Sequence, residues 1–424
     1  MKIPETRSIL FVDDQPEILA GLKRMLWAER REWELLYSEG CDDAARLLEQ
    51  RRIDIVVTDL RMPRADGVQL LDILRRQHPG CVRIVLSGYA ASETVLRSVG
   101  LAHQFLAKPC TAESLKSTIQ KALFVQNLLE SNPGLQELVG RIESLPSVPS
   151  LYLQVARELQ SEEPSLQRVG KIVSRDPGMT AKTLQLVNSA FFGLPKQIDD
   201  AGRAVFLLGL DITRALVLSV EIFSQFERTT LGGVVWNSLW RHSWACAQLA
   251  RRLAQLEWPE NPKLHERAYT TGLLHDVGKL ILGAYNPDEY REVAERARIE
   301  NLSVTEAEED FWGTGHPAVG AFLLGLWGLP LDLVQAVRWH HAPDEASTQE
   351  GKDLIRLIHA ADALVAELGY SSGNPGSVIA GKLGEGADEV EFHAQIDRWR
   401  AFASKLLDGS PIDGEESIKA EHSR

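Results

Sequence analysis

The stretch Ile53–Thr58, closed by Asp59 and followed by Leu60, Arg61, Met62 and Pro63, limits what this chain can fold into more than any other. An apolar run of that length ending in an acid reads as a buried strand with a carboxylate at its carboxyl edge. Strand and helix patterns alternate around it. Ser8–Val12, Glu34–Ser38, Arg83–Ser87 and Gln104–Ala107 read as further strands. Gln15–Ala28, Cys41–Gln50 and Val68–Gln77 carry helical spacing, as with Ile18, Leu22, Met25 and Leu26 in the first. Repeated β/α units of this length predict a doubly wound, five-stranded parallel α/β sheet over residues 6–124.

In such a sheet the carboxyl ends of the strands converge, and chemistry gathers there. Asp13 and Asp14 follow the first strand, Asp59 the third, Ser87 the fourth, and Lys108-Pro109 the fifth. Carboxylates crowded at one edge repel each other unless a cation joins them, and oxygen ligands with room for water suit Mg²⁺. An oxygen nucleophile, a divalent ion and fixed donors for equatorial oxygens are the parts phosphoryl transfer needs. Asp59 is the candidate nucleophile, Asp13 and Asp14 the ion ligands, and Lys108 and Ser87 the phosphoryl-oxygen partners.

This set resembles the receiver domain of two-component response regulators. The residues that carry the resemblance are Asp13-Asp14, Asp59, Met62-Pro63, Gly67, Ser87-Gly88 and Lys108-Pro109. It implies phosphorylation of Asp59 by a partner histidine kinase or a small phosphodonor. It also implies Mg²⁺ held at Asp13, Asp14, Asp59 and Arg61, and a switch aromatic at Phe105.

Thr111-Ala112-Glu113 reads as a helix start, an N-cap with an acid in the first turn. Leu115, Ile119, Ala122, Gln126 and Leu129 then recur at alternating four- and three-residue steps. Such a stripe packs on its own sheet or forms a dimer seam; packing is the reading for the first half and the seam for the second. Residues 125–145 are read as a helical connector, broken at Ser131-Asn132-Pro133-Gly134.

From residue 136 to about 370 strand patterns disappear and an all-α domain is predicted. Histidines and acids form a second ordered set there: His242, His275-Asp276, His316, His340-His341 and Asp362. Mixed imidazole nitrogen and carboxylate oxygen suits one or two transition-metal ions, Fe, Mn or Zn, with Asp276 able to span two. Lys279 stands beside the pair as a candidate donor to a phosphate oxygen. His359, three residues before Asp362, reads as a packing or outer residue.

The order His … His-Asp … His … His-His … Asp resembles the HD superfamily of metal phosphohydrolases, and more closely its output branch, the HDOD domain. Leu145–Pro149, Asp176–Thr180, Asn188–Ala190, Leu208-Gly209, Gly272–Leu280 and Trp327–Pro330 carry that resemblance. HDOD domains are generally regulatory modules with an incomplete metal set, whereas here the set is complete. The chain also departs from the cyclic-dinucleotide phosphodiesterases of the HD-GYP type, because Ala342-Pro343-Asp344-Glu345 follows His340-His341 where those carry Gly-Tyr-Pro. Three readings follow from the resemblance: a regulatory output that acts through a protein partner, a phosphorylation-gated metal phosphodiesterase, or a cyclic-dinucleotide binding module.

With 424 residues and 44% hydrophobic content the chain is long enough for two or three cores. A net charge of −13 argues against nucleic acid or an anionic membrane as partner. Four scattered cysteines with no C-x-x-C pair, and no signal-peptide pattern, fit a reducing cytoplasm. A helical extension over 371–408 and a polar, disordered tail over 409–424 complete the expected organisation.

Overall fold

Apolar strands buried on both faces need parallel neighbours and covering helices, and the first part of the chain supplies both. The computed structural model describes residues 6–62, 65–78, 80–87, 101–141, 154–155, 157–158, 161, 163–174, 201–209, 213, 217, 236–346, 351–368 and 399–400. The chain divides into two compact units, Met1–Leu153 with Phe322–Val334, and Gln154–Ala321 with Gln335–Arg424.

In the first unit, β1 (Arg7–Val12), β2 (Trp33–Ser38), β3 (Ile55–Asp59), β4 (Val82–Ser87) and β5 (Gln104–Ala107) form one sheet in the order β2-β1-β3-β4-β5. Every pairing in it is parallel. The helices α1 (Pro16–Met25), α2 (Cys41–Gln50), α3 (Gly67–Gln77) and α4 (Ala112–Glu130) flank it. Leu10, Val12 and Val56 from the strands pack with Ala44, Leu48, Leu70 and Leu74 from α2 and α3. The register sets Val12 against Thr58, Asp59 against Leu86 and Ser87 against Ala107, so the strand ends expected to carry chemistry share one edge. A two-stranded antiparallel ribbon, Arg61–Met62 with Ala65–Asp66, leads from β3 into α3.

Two boundaries differ from the sequence reading. The first helix stops at Met25, and Trp27–Arg31 tightens into a 3₁₀ turn in which the Arg30 guanidinium lies 3.5 Å from the centre of the Trp27 ring. The break at Asn132 is a junction, since a further helix, α5 (Pro133–Arg141), starts at once, with Asn132 Oδ1 accepting from Leu135 N at 2.9 Å. Thr111 does cap α4, its hydroxyl accepting from Ser114 N at 3.1 Å. The α4 stripe of Leu115, Ile119, Ala122 and Gln126 is buried. Gln126 Nε2 donates to Asp54 O at 3.0 Å and to Gly80 O, so the unit's own backbone takes up the position expected to open the dimer seam. Within this unit, Gln104 Nε2 also donates to Gly325 O at 3.3 Å and Lys121 Nζ to Gly328 O at 3.2 Å.

The second unit is helical throughout its described residues. After α6 (Leu166–Val173) and α7 (Ala201–Leu208) come α8 (Trp236–Glu257), α9 (Pro262–Leu274), α10 (Val277–Tyr285), α11 (Pro287–Glu300) and α12 (Val304–Trp312). The helices α13 (His316–Leu326) and α14 (Leu331–Trp339), each of which lies partly in this unit, and α15 (Lys352–Glu367) complete the described set. Ala245, Leu249 and Leu253 of α8 pack with Leu354, Ile358, Ala361 and Val365 of α15, and Trp399 joins this core, its indole N–H donating to Glu257. No helix among the described residues is long and apolar enough to cross a membrane. The motifs at 145–149, 176–180 and 188–190, Pro63, Gly88, the tail, and all of the expected extension except Trp399 and Arg400 lie outside the described residues.

Candidate functional site

At the sheet edge, β1 delivers Asp13, β3 delivers Asp59 and β5 delivers Lys108. Lys108 Nζ lies 2.7 Å from Asp13 Oδ2 and 2.7 Å from Asp59 Oδ2. Burial works against the charged lysine, yet hydrogen bonds and charge from Asp13 and Asp59 hold its pKa above the usual value. Asp13 Oδ1 accepts from Gln15 N at 3.0 Å, which fixes the turn after β1. Asp14 Oδ1 is buried with no hydrogen-bond partner among the described residues. A solvent-hidden carboxylate oxygen without a donor is the kind of atom a divalent ion would take up, and the oxygen-rich set suits Mg²⁺. Ser87 ends β4 one residue past the partner of Asp59, Phe105 pairs with Val85, and Arg61 pairs with Asp66 in the ribbon.

The second constellation lies inside the helical unit. His242 comes from α8, His275 and Asp276 from the break between α9 and α10, His316 from the start of α13, His340 and His341 from just past α14, and Asp362 from α15. Three overlapping groups have ligand atoms within 4.8 Å of one another: Asp276 with His316, His340 and His341; His242 with His275 and Asp276; and His275 with His340 and Asp362. The structure thus gathers all seven residues of the predicted metal set.

The imidazole orientations decide what the cluster can bind. His275 Nδ1 faces Gly272 O at 2.8 Å, His340 Nδ1 faces Val337 O at 2.7 Å, and His316 Nδ1 faces Glu308 Oε2 at 2.7 Å. Each acceptor requires a proton on Nδ1, so in the neutral ring Nε2 is left as a lone pair. His316 Nε2 stands 3.2 Å and His340 Nε2 3.8 Å from Asp276 Oδ1. Among the described residues neither Asp276 Oδ1 nor His340 Nε2 has a hydrogen-bond partner, although both are buried. Lone pairs converging in a dry site are held together by a cation or a trapped proton, and nitrogen with oxygen suits a transition metal.

On the other side, His242 Nε2 lies 2.9 Å from Asp362 Oδ1. Asp276 Oδ2 meets Lys279 Nζ at 2.7 Å. Burial alone would raise the Asp276 pKa, but the charges of Lys279 and His275 hold it well below the usual carboxylate range. Asp362 is held low against burial by His242 and His275. Both acids are therefore ionised, as metal ligands must be. Burial first, then Asp362 and His316, set the His341 pKa, which falls to about 3. His359 Nδ1 bonds His340 O at 2.7 Å, an outer position as expected.

Sequence reasoning missed Glu308. It lies in an acidic run, Glu306-Ala307-Glu308-Glu309-Asp310, that resembles a solvated helix face. The signal was its place on the stripe Val304, Glu308, Trp312, at i, i+4 and i+8, where a buried face runs.

Residues 145–343 match the HDOD domain family, and residues 9–120 match the response regulator receiver domain family. An uncharacterized protein of Treponema pallidum is 26% identical over 229 residues, 54% of this chain and 43% of that protein. The hydrogenase transcriptional regulatory protein HoxA of Cupriavidus necator is 33% identical over 160 residues, 37% of this chain and 31% of that protein. This chain therefore matches less than half the length of either relative. Among solved structures, an HDOD domain protein of unknown function from Geobacter sulfurreducens is 22% identical, with a TM-score of 0.48, over 69% of this chain and 99% of that one.

Proposed function

The chain is a response regulator receiver domain followed by an HDOD domain, and we propose that it takes a phosphoryl group on Asp59 and converts that charge into a change in its helical output domain. The donor is the phosphohistidine of a sensor kinase or a small phosphodonor. The P–N bond (or the donor's P–O bond) breaks as a P–O bond to Asp59 forms. Asp13, Asp14, Asp59 and Arg61 would hold Mg²⁺, which would screen charge on the incoming oxygens, and Lys108 and Ser87 take two of those oxygens. The observation that carries this reading is the Lys108 ammonium set between Asp13 and Asp59 beside the unpartnered Asp14 oxygen. Ser87 and Phe105 then shift with the added charge. The receiver occupies 6–124, the connector 125–145 and the output domain 136–370, and the output acts by changing its contacts with a protein partner.

A second reading is favoured by the fixed imidazole tautomers around Asp276. Here the output domain is a metal-dependent phosphodiesterase for a cyclic nucleotide or dinucleotide. His242, His275, Asp276, His316, His340, His341 and Asp362 hold one or two Fe, Mn or Zn ions, which when bound polarise a phosphoryl oxygen. Lys279 keeps Asp276 ionised and donates to a phosphate oxygen.

Acetyl phosphate with Mg²⁺, followed by mass spectrometry, tests the first reading. The expected adduct maps to Asp59 and is absent in Asp59→Asn; labelling elsewhere, or none, ends it. Metal analysis of chelator-free protein and incubation with a panel of cyclic nucleotides test the second. Protein that binds no transition metal would remove it.

A further inference from the structure

Glu308 belongs to none of the ligand groups, yet it is a fully buried carboxylate. Its register is fixed locally. Ser303 and Glu306 form a reciprocal capping box at the start of α12, and Gly313 ends the helix in a left-handed conformation. That register turns Glu308 inward, where it is 0% exposed. Its Oε2 accepts both the backbone N–H of His316 at 2.7 Å and the ring Nδ1–H of His316 at 2.7 Å. Oε1 makes no hydrogen bond of good geometry among the described residues, although the Tyr290 phenol lies close to the carboxylate, and burial and then the Glu308 charge hold the phenol's pKa well above the usual value.

A buried carboxylate satisfied on one oxygen only is destabilising for the fold by itself. An apolar residue would fill the same space without that penalty. What the carboxylate gives in return is control of His316. The ring is held by its Nδ1 and the first turn of α13 by its N–H, both through one oxygen atom, so Nε2 points into the cluster, 3.2 Å from both Asp276 Oδ1 and His341 Nε2. A carboxylate behind an imidazole also makes the opposite nitrogen a stronger ligand. His275 and His340, by contrast, rest their Nδ1 on neutral backbone carbonyls.

We infer that Glu308 is a positioning residue that commits His316 to metal ligation, so that the ion held by Asp276, His316, His340 and His341 depends on it while the ion held on the His242 and His275 side does not. The inference rests on the metal reading above and adds a division within it. Glu308 touches neither the ion nor a substrate; it acts through His316.

The test uses the full chain, with Co²⁺ as the probe. Stoichiometry and affinity are read by equilibrium dialysis and by the visible bands of the bound ion, for wild type, Glu308→Gln, His316→Ala and the double variant. Glutamine keeps an oxygen acceptor for both N–H groups and removes only the charge. Glu308→Gln is expected to weaken one class of site by about 10–100-fold, leave the other unchanged, and add nothing in the His316→Ala background. Thermal melts of the metal-free proteins establish that each variant is folded. Wild-type affinities in Glu308→Gln, equal weakening of both classes, or an effect that persists without His316 would each overturn the inference while leaving the metal reading intact. Wild type that takes up no ion would remove the metal reading itself, and this inference with it.

Discussion

Gly67 stands directly behind Asp59: a Cβ built on Gly67 would fall 2.3 Å from the Asp59 carbonyl oxygen and 2.9 Å from Leu60 Cα. Both neighbours are backbone, so neither can swing aside. Gly67→Ala is expected to lower stability by about 1–3 kcal/mol, the usual range for overpacking. It should also displace Asp59 and, on the proposed function, slow its phosphorylation by acetyl phosphate. Urea melts and adduct kinetics check the two effects; wild-type behaviour in both would mean that the turn after β3 relaxes freely.

Lys108 bridges Asp13 and Asp59. Removing its ammonium leaves the acidic edge without that counter-charge, so Lys108→Ala should bind Mg²⁺ several-fold more tightly in calorimetric titration. On the proposed function the same change removes a donor for phosphoryl oxygens. The variant should therefore gain ion affinity while losing the conformational response to beryllofluoride.

These two positions also mark how much was legible in the sequence. Asp13, Asp59 and Lys108 could be assigned because each ends an apolar run, and strand ends meet in a parallel sheet whatever the side chains do later. The seven His and Asp residues that the helical unit brings together could be picked out because His-Asp pairs and isolated histidines in helical sequence are chemically unusual. Glu308 could not, since a glutamate among glutamates looks solvated until the helix register is known. Gln126 shows a similar limit. A polar residue on an apolar stripe reads as an interface position, whereas here its amide is used by the carbonyl groups of Asp54 and Gly80.

His103 is buried with Nδ1 accepting from Arg83 N at 3.1 Å and Nε2 2.7 Å from the Arg83 guanidinium. Burial, then the Arg83 charge, push its pKa well below the usual 6.5. Below that value the unfolded chain binds a proton that the folded one refuses, so stability rises with pH there and is lost as pH falls. The contribution of this residue approaches about 1.4 kcal/mol per pH unit once the pH is about one unit or more below the usual value. Comparing urea melts of wild type and His103→Asn between neutral and mildly acidic pH should show a shallower slope in the variant.

Ion binding to the helical unit should stabilise it by linkage, by about 2.7 kcal/mol at an ion concentration a hundredfold above Kd. Chelation should lower the melting temperature of loaded wild type. It should have a smaller effect on His275→Ala, which loses the nitrogen shared by two of the three groups but keeps Asp276, His316, His340 and His341. Calorimetry with and without chelator decides this. Equal melting temperatures for loaded and stripped wild type would count against a site preorganised for metal.

Gly278 has a consequence of its own. A Cβ there would lie 2.0 Å from His316 O and 2.9 Å from Gly320 N, so α10 and α13 cross main chain against main chain with nothing between them. Asp276 and His316, which flank that crossing, are mounted on a joint made by main chain alone. Any ion taken up there would be a load placed on scaffolding built from the polypeptide itself, and its exchange would not require α10 and α13 to part.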